Sequence, residues 1–225
     1  TYFEHARNYL SARVLSAKLM LKHKTKKHDI EMAYTYKKEH ISENSVEYEM
    51  RDSAGYSVPH NGKELYMIYS MRANNTLDAN RMEAYLQDTY RFTSKGGHTH
   101  FTLNYGVRMS HWSFNKETIL SPRVSLGIIP AYSENTTFRF AAGLYYQAPF
   151  FKELRDTSTV NGITYANLNE KIKSPRSIHF IAGYDYRFRI NNLRYRFSAE
   201  AYYKALGNFI PYSVNNVKVV YYGEN

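Results

Sequence analysis

Apolar and polar residues alternate one by one along much of this chain, and short clusters of turn residues interrupt them. In Arg194–Lys204 (RYRFSAEAYYK), Tyr195, Phe197, Ala199, Ala201 and Tyr203 fall on one face. Arg194, Arg196, Ser198, Glu200, Tyr202 and Lys204 fall on the other. Strand side chains point to opposite sides in turn, so this segment has one greasy wall and one charged wall. The same reading predicts nine strands: Leu10–Lys22, Asp29–His40, Asn80–Thr93, Thr99–Trp112, Ile119–Pro130, Thr137–Pro149, Arg176–Arg189, Leu193–Leu206 and Asn216–Tyr222. No stretch holds a helical period, so the fold class is all-β.

Connections alternate between short and long. Short turns are expected at Lys24–Lys27, Ser94–Gly97, Ser133–Asn135 and Ile190–Asn192. Long connections are expected at Ile41–Ala79, Ser113–Thr118, Phe150–Pro175 and Gly207–Asn215. An antiparallel up-and-down meander has this form, with short turns on the periplasmic side of an outer-membrane barrel and long loops outside. Soluble sandwiches more often mix their connections through Greek-key crossings.

The faces point the same way. In Ser177–Arg189, Ile178, Phe180, Ala182, Tyr184, Tyr186 and Phe188 oppose His179, Gly183, Asp185, Arg187 and Arg189. Burying those charges in a sandwich core is expensive, and exposing the apolar side to water leaves a large sticky patch. Lipid on one side and a hydrated lumen on the other satisfies both. Phe138, Phe140, Leu144, Phe180, Tyr184, Phe197 and Tyr203 are thereby expected to meet lipid.

Composition refines this. Among 225 residues are 23 Tyr, one Trp and no Cys, which removes a disulfide framework and any Cys-based metal or nucleophile chemistry. The formal charge is +10, but Lys and Arg are interleaved with aromatics and form no run. That suits a lumen and rim facing anionic lipid or an acidic ligand better than nucleic acid. No stretch approaches the ~18 uninterrupted apolar residues of a membrane-crossing helix, and barrel strands would not show one. The chain opens on TYFEHARNYL without a signal-peptide pattern and closes on VVYYGEN as an open-ended strand. It reads as a piece of something longer.

Four strings carry a resemblance: RMEAYLQDTYRF (Arg81–Phe92), GVRMSHWSFNKETILSPRVSLG (Gly106–Gly127), RFAAGLYYQAPFFKELRD (Arg139–Asp156) and SAEAYYKALGNFIPYSVNNVKVVYYGEN (Ser198–Asn225). They resemble the barrel of TonB-dependent outer-membrane receptors, particularly those of the Bacteroidetes type, well over Asn80–Asn225 and loosely over Thr1–Ala79. The resemblance implies a closed barrel of 22 strands with a plug domain in its lumen. About nine or ten of those strands would lie in this chain, as a mid-barrel section without the plug. It further implies active uptake of a scarce nutrient across the bacterial outer membrane by TonB-driven plug displacement. The partners implied are TonB, outer-membrane lipid and lipopolysaccharide, and a surface lipoprotein or complex partner; no cofactor and no nucleic acid are expected. Two alternatives stay open: a barrel serving as a structural or assembly partner in an outer-membrane complex, and a soluble all-β binding module.

Signals for chemistry are few. Gly-x-Ser-x-Gly, His-Glu-x-x-His and a phosphate loop are all lacking. Ser177 and His179 share a strand face, a spacing open to a nucleophile and its base, but two lumen-lining polar residues are the simpler reading. His98, His100, His23 and His28 cluster near two short turns without a carboxylate at matching spacing, which argues for solvated turn residues over a metal site. No catalytic or metal-ligating residue is assigned.

The expected ligand contacts are the inward residues of the outer half. These are Trp112, Arg123, Tyr145, Gln147, His179, Tyr202 and Lys204, aromatics beside hydrogen-bond donors that suit sugars, peptides or chelates. Residues 41–79 and 150–175 are expected to be long extracellular loops, the first carrying a strand extension at Glu64–Arg72 and the second lying on the surface.

Overall fold

The computed structural model describes residues 2–51, 65–215, 218–221 and 224. Eight long strands make one antiparallel wall in chain order: β1 (Tyr2–Lys24), β2 (His28–Arg51), β3 (Tyr66–Thr93), β4 (His100–Trp112), β5 (Glu117–Ile129), β6 (Thr136–Tyr146), β9 (Arg176–Ile190) and β10 (Leu193–Gly207). Between β6 and β9 lies a hairpin, β7 (Arg155–Val160) and β8 (Ile163–Leu168). No helix among the described residues is long and apolar enough to cross a membrane, which says nothing about a barrel.

The turns follow their residues. Between β9 and β10 only Asn191 and Asn192 remain, with φ of 49° and 63°, as a tight hairpin turn of this hand requires. Asn161 and Gly162 do the same between β7 and β8, with φ of 51° and 77°.

Two parts of the wall differ in height. β3 runs for 28 residues and β6 for 11. A tilted membrane-crossing strand needs only ~9–11. The upper halves of β1, β2 and β3 pair with one another and project well past β4.

Several boundaries move from their expected places. The first strand begins at Tyr2 rather than Leu10, because Tyr2–Leu10 pairs along Glu43–Arg51. Residues 41–79, expected as a loop, are strand over 41–51 and 66–79. Residues 52–64 between them lie outside the described residues. The last expected strand is not in the wall: β11 (Tyr212–Asn215) and β12 (Lys218–Tyr221) form their own two-stranded sheet.

Register confirms the two faces. Phe138, Phe140 and Leu144 of β6 stand opposite Tyr184, Ala182 and Ile178 of β9, and Phe180 stands opposite Tyr203 of β10. Rings form a run along the short-turn end of this face: His28 on Tyr90, Tyr90 on Phe92 and Phe92 on Phe101, then Tyr186 on Phe188 and Phe188 on Tyr195. One carboxylate sits among them. Asp88 accepts from the Tyr105 hydroxyl at 2.9 Å and lies 2.6 Å from His28 Nδ1.

What core there is lies on the opposite face, under the projecting strands. Leu77, Ala79, Trp112, Leu154, Ile172 and Ile210 pack together there. The segment 150–175, expected on the surface, supplies two of them, with Leu154 and Ile172 fully buried. It is a folded strap rather than a free loop. Leu154, Ala166 and Ile172 are buried while Phe150 and Val160 stay exposed, and β8 adds a short parallel pairing to Met71 and Arg72 of β3.

Candidate functional site

The inward face is built from charge pairs set in rows across the strands. Glu31 meets Lys22 and the Tyr85 hydroxyl, and Glu83 meets Arg108 and Lys37. Asp185, almost fully buried, is gripped by Arg139 at 2.9 Å and Arg196 at 2.8 Å.

One row carries three of the seven expected contacts, Arg123, His179 and Lys204. Gly106, Arg123, Gly143, His179 and Lys204 stand opposite one another on β4, β5, β6, β9 and β10. Backbone crowding requires the first glycine, and the second leaves the space that the Tyr145 ring occupies. A Cβ on Gly106 would lie 2.7 Å from the Leu86 carbonyl oxygen, and one on Gly143 would lie 2.8 Å from the Tyr145 ring. Tyr145 therefore folds down over Gly143 between its neighbours. The Arg123 guanidinium lies 4.3 Å from the centre of its ring, and the His179 ring centre is 4.6 Å away on its other side. Ser177 Oγ is 2.5 Å from His179 Nε2.

Beside this stack the face is hollow. A groove of about 460 Å³ is lined by Tyr85, Gln87, Asn104, Arg108, Arg123 and Tyr145 among others. That lies within the size range of small-molecule sites, and its rim mixes rings with hydrogen-bonding groups.

The other expected contacts fall elsewhere. Trp112 does not face the groove; it is 6% exposed, stacks against Phe114 and donates Nε1–H to Glu39 at 3.1 Å. Arg81 covers its ring at 4.4 Å and pairs with the same Glu39. Gln147 lies beyond β6, exposed, with its backbone N–H on the Pro175 carbonyl. Tyr202 and Lys204 are exposed on the inward face of β10, beyond His179. The structure thus brings together Arg123, Tyr145 and His179.

The anchors of the strap were missed from sequence. Glu43, 2% exposed, pairs with Arg155 and accepts from Asn75 Nδ2 at 3.0 Å. Burial lowers the pKa of Arg155 from its ordinary value, and Glu43 is the countercharge that holds it there. Glu117 accepts from the Ser174 backbone N–H and hydroxyl, and Asn115 donates to the Ile172 carbonyl. One signal was readable. Asn161–Gly162, between TSTV and ITYA, is the strongest short hairpin signal a sequence offers.

Among the described residues no group of three or more His, Asp or Glu is placed to hold a metal ion. The family model for the TonB dependent receptor-like β-barrel matches residues 2–225. The chain belongs to that family. Its strands are those of the membrane-crossing β-barrel of an outer-membrane transport receptor. A search of curated proteins finds no match.

Proposed function

We propose that this wall lines the path of a nutrient that the receptor imports by TonB-driven displacement of a plug from the lumen, with the stack of Arg123, Tyr145 and His179 as a contact surface. The observation that supports it most is the stack beside the 460 Å³ groove. The rings are locked by their neighbours and present polar edges toward open space, so little order is lost when a ligand docks. The long connections then lie outside the cell, with the strap of residues 150–175 fastened over the outer mouth.

The work is binding and gating, without covalent chemistry. Ser177 and His179 form a hydrogen-bonded pair, but no described carboxylate is bonded to the imidazole, and Tyr145 covers its ring. A nucleophile needs its base oriented by a third group.

Tyr145→Ala removes the ring that both neighbours stack on and faces no lipid. In the intact receptor it should weaken ligand uptake by about tenfold while leaving assembly unchanged, as a lost ring contact and hydrogen bond of ~1–2 kcal/mol would do. Uptake is measured alongside heat-modifiability on a gel as the folding control. Unchanged uptake with normal assembly would remove the stack from the ligand path.

A further inference from the structure

We infer that the ligand of this lumen is an anion, a small molecule bearing carboxylate or phosphate groups; this rests on the nutrient-path reading above and narrows it. Charge is left over on this face. Glu31, Glu39, Glu43, Glu83 and Asp185 on the inward face each already have a cation against them. The cations are not all used up in return. In the groove, Arg108 is taken by Glu83, whereas Arg123 has no ion pair among the described residues and rests on the Tyr145 ring. Stacking occupies the flat face of a guanidinium and leaves the donors on its edge directed outward. Those edge donors suit a carboxylate or phosphate, which they can grip with two parallel hydrogen bonds.

A second station lies on the same face at the short-turn end. Arg187 stands directly opposite Arg196, and Arg189 directly opposite Arg194. Like charges in such cross-strand positions oppose pairing. Only Arg196 is relieved, by Asp185. Arg187, Arg189 and Arg194 carry no described ion pair, and with Asn135, Arg196 and the edges of Phe188 and Tyr195 they line a hollow of about 660 Å³. Hairpin stability alone gives no reason to face four guanidinium groups at one another. Cargo that carries negative charge supplies one. It would be held first at Arg123 and met again by the arginine ladder on its way out.

The test uses the intact receptor in detergent and two probes of like shape, tricarballylate and its neutral triamide, with binding followed by isothermal titration calorimetry. Tricarballylate should bind at least about tenfold more tightly than the triamide, and more weakly as salt is raised. R123Q should cost it roughly tenfold or more, the usual scale for losing a hydrogen-bonded charge partner. R13Q, on the opposite face, should change nothing. The triple variant R187Q/R189Q/R194Q should remove a second, weaker binding event. Equal binding of the two probes, or no binding, overturns the inference. So does an unaltered R123Q, or a carbodiimide-stabilised acidic polypeptide segment found against the ladder in its place. The nutrient-path reading fails separately: a receptor that takes up a neutral ligand through Tyr145 keeps that reading and loses only the anion.

Discussion

The two faces of the wall are made from the same strands, yet they follow opposite rules. The outward face shows large apolar side chains with nothing over them: Leu15 is 70% exposed, Phe197 55% and Tyr203 65%. The inward face hides its polar groups among one another, with Asp185 at 4% and Glu43 at 2%. A water-soluble sheet would do the reverse. The difference teaches that solvent sorts the residues, and that two solvents are present: hydrocarbon outside and water, with packed protein, inside. Specificity on the outward face is low, because any apolar side chain serves. On the inward face Glu31, Glu43, Glu83 and Asp185 each face specific cations.

That comparison can be broken from the inward side first. Glu43→Ala leaves the Arg155 guanidinium without its countercharge in a buried setting. Loss of one partner of such a pair costs about 3–5 kcal/mol. The effect should be local, read as faster amide exchange in β7 and β8 while the rest of the wall stays protected. Uniform loosening of all strands would mean that the strap is not a separate unit.

Ala182 and Ala141 sharpen it next. They sit near mid-strand on β9 and β6, on opposite faces. Ala182→Arg, placed toward lipid, should destabilise the assembled receptor by about 2–4 kcal/mol, and Ala141→Arg, placed toward the lumen, by less than about 1. Reversible unfolding in bilayers measures both. A further effect, smaller than that of Ala182→Arg, is steric. Gly106→Ala drives a methyl group against the Leu86 carbonyl and should cost about 1–3 kcal/mol in the same assay, with the groove side of β4 displaced.

Much of this was legible in the sequence because the signal is periodic. Tyr195 to Lys204 alternates so regularly that faces, strand and neighbour pairing follow from it, and Asn191–Asn192 marks the turn. The projecting parts of β2 and β3 were not legible for a physical reason. Above the membrane neither face meets lipid: burial still alternates there, but the buried row Glu43, Ser45, Asn75 and Leu77 mixes polar with apolar residues, so the apolar–polar pattern does not reveal it. The site divides likewise. Arg123, Tyr145 and His179 share a face by parity, which sequence gives, but their stacking depends on Gly143 opposite Arg123, a register that only the paired strands reveal. Trp112 was misplaced because nothing local announces that Leu154 and Ile172 return to cover it.

The most direct test of the two-solvent account is a pair of spin labels on adjacent residues of β10, Ser198 and Ala199, in the intact receptor reconstituted in a bilayer. Collision rates with oxygen and with a water-soluble nickel chelate report the surroundings of each. The label at Ala199 should be oxygen-accessible and shielded from nickel, and the label at Ser198 should show the reverse. Nickel access at both positions would contradict it.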